Sequence, residues 1–315
     1  MNKVGFFFVF SLWLPLTANA FELAAGLTPP KQQKILINYS GLFHDKSDFP
    51  QERASTSYQT ADFSIPVYKS EVDSVTVSLS GTQFSVRPAQ NNFSELYDLK
   101  LGLGYTKALD EQRLWSASAR YGSASDKPFE AANVTTLGMT AFYSFPSDET
   151  SRWLLLVDYS NNRPILNNIP LPGFAYFYYP SKEFRAVFGA PFASINWNFS
   201  EKWVLDLFAL VPWILKSSLS YKLNEYARVY SGIDFSQVTY YLYGRQNEKD
   251  RLFYDEKKIF LGLKTPLSKN IFAEIEAGHA FDRSFFISEN YTTNPDAPVD
   301  IGNAYYGKLS VKMFF

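Results

Sequence analysis

Tyr305-Tyr306-Gly307-Lys308-Leu309-Ser310-Val311-Lys312-Met313-Phe314-Phe315 closes the chain, and its alternation decides the fold. Successive side chains of a strand point to opposite sides. Tyr305, Gly307, Leu309, Val311, Met313 and Phe315 therefore share one face, and Tyr306, Lys308, Ser310, Lys312 and Phe314 share the other. One face is apolar and the other carries two lysines. A soluble sandwich could use such a strand, but it would rarely stop on an aromatic residue with no polar tail.

The same period runs back through the chain. Residues 97–106 give its clearest form, with Tyr97, Leu99, Leu101, Leu103 and Tyr105 on one face and Asp98, Lys100, Gly102, Gly104 and Thr106 on the other. Two faces bounded by Tyr at each end are what a membrane-crossing strand requires. Further segments are predicted at 35–43, 57–68, 75–87, 115–121, 137–145, 153–160, 184–199, 203–211, 215–223, 226–243, 258–266 and 271–287. Residues 161–183, with four prolines and the Tyr/Phe cluster at 174–179, break the alternation and are predicted to be a long loop. Gly189-Ala190-Pro191, inside a segment, is predicted to be a bend or bulge.

Connections are of two kinds. Short turns are predicted at 69–73, 109–112, 146–151, 200–202, 224–225 and 268–270, and longer polar stretches at 44–56, 88–95, 122–134, 161–183, 244–257 and 288–303. Barrels in membranes have short turns at one end and long loops at the other, and an even number of strands. About fourteen strands are expected, provided that residues 211–214 make a tight outer turn. If that stretch is continuous strand, the count falls to twelve. The fold class is an all-β, antiparallel, up-and-down transmembrane barrel.

Composition agrees. Of 315 residues only 19% are charged, while 18% are aromatic, including 21 Tyr and 29 Phe; belts of aromatic residues at both membrane interfaces account for such an excess. Mean hydropathy is −0.18, as expected when each apolar face is diluted by a polar one. There is no Cys, so neither a disulfide framework nor a thiolate site exists. A net charge of −1 offers nothing to nucleic acid.

Residues 1–20 read as a secretory leader: Lys3, an apolar run from Val4 to Leu16, and the small-residue site Thr17-Ala18-Asn19-Ala20. The run is too short for a membrane helix. Without a Cys at the cleavage point no lipid anchor is expected, and the mature chain, a single domain over 21–315, should begin near Phe21.

Catalytic chemistry is hard to place. The two histidines, His44 in an expected outer loop and His279 on the outward face with Ala277 and Phe281, lack the clustered partners of a metal site or a nucleophile–base pair. Leu101-Gly102-Leu103-Gly104-Tyr105 is no dinucleotide fingerprint, because it lies within a strand and no helix follows. Neither enzyme activity, nor a metal, nor any other cofactor is expected. The inward set is Lys100, Asp158, Asp206, Arg228, Asp234, Lys264, Glu274, Glu276, Lys308 and Lys312. These side chains either pair and hydrate one another or line a pore and set its ion preference.

The leader, the alternating strands and the terminal Phe together resemble bacterial outer-membrane β-barrels. In that family the last strand is an insertion signal for the assembly machinery, a role that would fall here on Tyr305, Leu309, Val311, Met313 and Phe315. More narrowly, residues 172–176 through 188–191 to Trp203 are similar to a family of such barrels known only as a domain of unknown function. The resemblance implies the outer membrane of a Gram-negative bacterium, with its lipid, its lipopolysaccharide and the barrel-assembly machinery as partners. It brings no catalytic or binding residues. The long plug of fatty-acid transporters is not expected here, with only residues 21–34 between the expected cleavage point and the first strand. A passive channel or small-solute transporter is the leading expectation; a structural or adhesion barrel acting through its outer loops is the second.

Overall fold

The structure is a computed structural model that describes residues 27–90, 93–210, 214–292, 295 and 297–315. The expected leader lies outside these residues, as do 211–213 of the expected outer turn. The strands are β1 (Leu36–His44), β2 (Ser55–Lys69), β3 (Asp73–Gln90), β4 (Phe93–Ala108), β5 (Leu114–Ser125), β6 (Thr135–Asp148), β7 (Ser151–Ser160), β8 (Leu171–Tyr178) and β9 (Phe184–Ala190). They continue as β10 (Phe192–Trp197), β11 (Trp203–Leu210), β12 (Ile214–Lys222), β13 (Arg228–Tyr240), β14 (Arg251–Pro266), β15 (Ile271–Ser288), β16 (Val299–Ile301) and β17 (Ala304–Phe314).

Each strand pairs antiparallel with its neighbours, and β17 pairs with both β15 and β1, so sixteen strands close into a ring. β16 stands outside that ring and, among the described residues, pairs only with the upper part of β15. Closure removes every sheet edge, which a lipid medium demands because exposed N–H and C=O groups have no partner there. The chain's ends lie together: Ile35 N–H donates to Phe315 O, and Phe315 N–H donates to Ile35 O, both at 2.9 Å. Short turns share that end, the periplasmic one in the orientation such barrels adopt.

Two strands more than the fourteen expected come from particular residues. β8 lies in the stretch expected to be loop. Its outward Phe174, Tyr176 and Tyr178 oppose inward Ala175 and Phe177, which are themselves buried among apolar side chains. With both faces apolar, no polar alternation marks the strand. The second addition is at Gly189-Ala190-Pro191, a chain reversal and not a bend: Ala193 pairs back onto Phe188, and β9 and β10 form a hairpin. β11 and β12 also pair as a hairpin, with Leu210 opposite Ile214.

The wall is uneven. β3 and β15 run for 18 residues, whereas β9 has 7 and β10 has 6. Outward side chains form the lipid belt, among them Leu79, Leu101, Leu103, Met139, Leu155, Leu261, Ile275 and Leu309. From Tyr97 to Tyr105 the strand advances about 27 Å at ~3.4 Å per residue; tilted by roughly 40°, this spans ~20 Å of bilayer, near the apolar band of such barrels. Below the belt an aromatic girdle follows the short strands. Trp153, Tyr176, Tyr178, Phe184, Trp197, Phe199, Trp203 and Tyr221 succeed one another with ring centroids 4.8–6.5 Å apart.

Candidate solute passage

At the outer end the barrel is pinched. The wall turns inward after β13, so Tyr241 N–H donates to Ala124 O at 2.7 Å and Tyr241 bridges Ser125 at the top of β5. Beneath this crossing Phe84, Val86, Leu96, Tyr240, Leu252, Tyr254 and Phe285 form a packed core inside the ring. A charged knot adjoins it. Arg283, 2% exposed, donates to Thr56 Oγ1 at 2.7 Å and to Ser47 Oγ and Gly302 O. Glu256 meets His44 Nε2 at 2.8 Å and Lys258 at 2.7 Å. His44 is thus the last residue of β1 with an inward ring, not a member of an outer loop; His279 lies among the rings of Phe281 and Tyr305.

The connection from β7 to β8, residues 161–170, folds across the remaining mouth. Arg163 binds Asp158 at 2.6 Å, Tyr291 N–H donates to Pro164 O at 2.9 Å, Tyr241 hydroxyl donates to Asn161 O, and Arg251 donates to both Arg163 O and Glu289 O. Tyr291 also touches Asp255 at 3.2 Å; burial first, then that carboxylate, pushes its phenol up to about 12.

Lower down, the two sides of the lumen differ. From β12 round to β17 the inward face is a ladder of charges. Lys216 meets Asp234 at 3.1 Å, Lys264 meets Glu274 at 3.7 Å, and Lys308 lies 3.8 Å from Glu274 and 3.6 Å from Glu276. Tyr306 hydroxyl donates to Glu276 at 2.8 Å, and Tyr230 hydroxyl lies 2.5 Å from Glu274 and 3.0 Å from Glu276. Both rings need bare backbone beside them. A Cβ at Gly262 would sit 2.4 Å from the Tyr230 ring, and one at Gly278 would sit 2.7 Å from that of Tyr306. Toward the periplasmic ends of β5–β9 the inward face instead carries an apolar cluster, with Leu114, Phe142, Leu154, Phe177 and Val187 buried together. The segment before β1 turns into the periplasmic mouth against it: Leu27 packs on this cluster, and Thr76 donates to Gln33 Oε1 at 2.9 Å.

Between the two walls, at the periplasmic ends of β9–β14, lies a cavity of about 160 Å³ whose lining includes Arg185, Asn196, Asp206, Arg228 and Lys264. The ten inward residues expected from alternation do not form one site. Asp234, Lys264, Glu274, Glu276 and Lys308 belong to the ladder, and Lys312 continues its row on β17, where Phe272 is its register partner. Asp206 and Arg228 line the cavity. Asp158 pairs with Arg163 and accepts from Thr140, and Lys100 pairs with Asp98 at 2.6 Å. Arg185, Lys216, Glu256, Lys258 and Arg283 were not among the expected residues. Period-2 counting from Asn196 and Ser218 finds the first two once the β9–β10 hairpin is recognised. Along the opposite, outward face of β17 and just past its end, Tyr305, Leu309 and Phe315 are exposed.

No family model matches the sequence, and no curated protein does. Three solved structures of similar shape are the monoaromatic hydrocarbon channel CymD (9% identity, 95% of this chain and 93% of that one, TM-score 0.43), the Pseudomonas putida toluene transporter TodX (9%, 93% and 93%, 0.41) and an outer membrane channel from Pseudomonas putida F1 (10%, 90% and 96%, 0.37). These are distant likenesses.

Proposed function

We propose that this chain is an outer-membrane channel for small solutes, placed there by the barrel-assembly machinery with its outer rim among lipopolysaccharide. The observation that carries this is the divided lumen. Sixteen strands enclose more cross-section than side chains can fill; here the side under the tall strands is packed, while the side under β8–β12 is lined by polar, charged and apolar walls that face one another. A barrel that served only as a stalk for its loops has no need to place charges in a low-dielectric interior, where each costs several kcal/mol unless paired.

Solute passes on the short-strand side, and residues 161–170 bound its outer entrance. Liposome swelling with small neutral and charged solutes tests the proposal: protein-dependent swelling is expected, with rates that fall steeply as solute size rises. Vesicles that remain unresponsive to every solute, with wild type and with a loop-shortened variant alike, would leave the loop-borne structural role as the better account.

A further inference from the structure

We infer that residues 27–34 are a releasable strap across the periplasmic mouth, held shut on the apolar side of the lumen and hinged beside Ile35. The strap leaves the seam between β1 and β17, where Ile35 and Phe315 exchange backbone hydrogen bonds. It passes under β3 and β4 through a single 3-10 turn at Pro30–Gln32 and ends with Leu27 against the cluster on β5–β9. Pro30 is fully buried and Gln33 is 6% exposed, so the segment lies within the mouth and not below it. What holds it is slight. Gln33 is the latch: its Oε1 accepts from Thr76 Oγ1 at 2.9 Å, and its main-chain carbonyl accepts from Lys69 Nζ at 3.1 Å. Lys31 pairs with Glu71 at 2.7 Å, but the two side chains are 68% and 74% exposed, and such pairs contribute little. None of residues 27–34 belongs to a strand, so no ladder has to break for them to leave. Segments held by few apolar contacts and by side-chain bonds open locally, without global unfolding.

Closure also leaves polar atoms unsatisfied. Gln32 Oε1 and Ser74 Oγ are buried with no hydrogen-bond partner among the described residues. Ser74 is the second residue of β3, on the inward face with Thr76, at the end that opens to the periplasm. It is nevertheless only 1% exposed, and the strap, packed on β3 and β4, supplies that cover. A buried polar group left unpaired raises the free energy of the state that buries it. Closing therefore gains the burial of Leu27 and Pro30 and the Gln33 latch, and loses hydration at Gln32 and Ser74. These opposing terms bring the closed and open arrangements near one another in free energy, which is the condition for a gate.

Release of the strap goes beyond the channel proposal and is read without conductance, so a silent pore leaves the strap standing and a fixed strap leaves the pore standing. The chain has no Cys, so Ser74→Cys places a single thiol beneath the strap, and it removes no side-chain hydrogen bond found among the described residues. The experiment is the rate at which a charged, water-soluble methanethiosulfonate modifies that thiol in the folded full-length barrel in detergent, with Ser268→Cys, in an exposed turn, as the reference. Ser74→Cys should react at least tenfold more slowly than Ser268→Cys and still go to completion. Adding Leu27→Asp and Gln33→Ala to the same chain should speed its reaction at least tenfold, with the heat-modifiable band unchanged. The inference is overturned if Ser74→Cys reacts as fast as the reference, if it never reacts, or if intact and loosened straps give the same rate. Should the doubly loosened chain fail to fold, Gln33→Ala alone, which removes only the latch side chain, supplies the comparison.

Discussion

Lys100 and Leu101 are neighbours that face opposite media. Leu101 is 54% exposed on the outward face, while Lys100 points inward to Asp98. Leu101→Arg should cost about 2–4 kcal/mol, the range for a cation near the bilayer midplane. Lys100→Leu should cost about 1 kcal/mol, the worth of a hydrated ion pair. Folding titrations into lipid vesicles measure both, and equal costs would mean that β4 is turned the other way. A larger loss is expected at Arg283. Its removal as Arg283→Met strips partners from Glu256, Thr56 and Ser47 at once, and breaking a buried ionic network costs about 3–5 kcal/mol. A melting midpoint like that of wild type, read from the heat-modifiable gel band, would contradict this. The same two residues show what alternation reveals and what it hides. Lys100 was legible because β4 pairs in unbroken register from Glu95 to Lys107. Arg283 was not, because the β14–β15 register shifts after Lys257–Phe281, and Asp282 takes a φ of 49° as the inserted residue. Parity flips at such a bulge, so counting from Phe281 would place Arg283 in lipid.

Among elements, β13, β14 and β15 form a unit in which glycine makes room for tyrosine. Gly262→Ala would drive the Tyr230 ring away from Glu274 and Glu276, and overpacking of this kind costs about 1–3 kcal/mol. In a Tyr230→Ser background the same change should cost much less, and the difference is the coupling that a double-mutant cycle measures. Additive losses would separate the glycine from the ring. The inward acids bear on the same unit. Glu274 and Glu276 are tied to tyrosines and lysines, so exchanging both for Gln should weaken folding as well as shift ion preference. β8 and the β9–β10 hairpin are the elements that sequence concealed. One is apolar on both faces, and the other reverses over so few residues that its turn resembles a bulge.

For the whole molecule, closure, antiparallel order and the lipid-facing belt were legible because a membrane imposes one repeating rule on every strand. The inward crossing at Tyr241, the apolar inner wall and the roof formed by residues 161–170 were not, since each depends on contacts between residues far apart in the chain. Under the proposed channel function, these features would confine solute to the short-strand side, entered past one loop. Single-channel recording in planar bilayers, comparing wild type with a variant in which residues 162–169 are replaced by a short Gly/Ser linker, tests that arrangement most directly. The wild type should open rarely or in small steps, and the variant should show larger, more frequent openings. No conductance from either protein, each inserted and heat-modifiable, would contradict it.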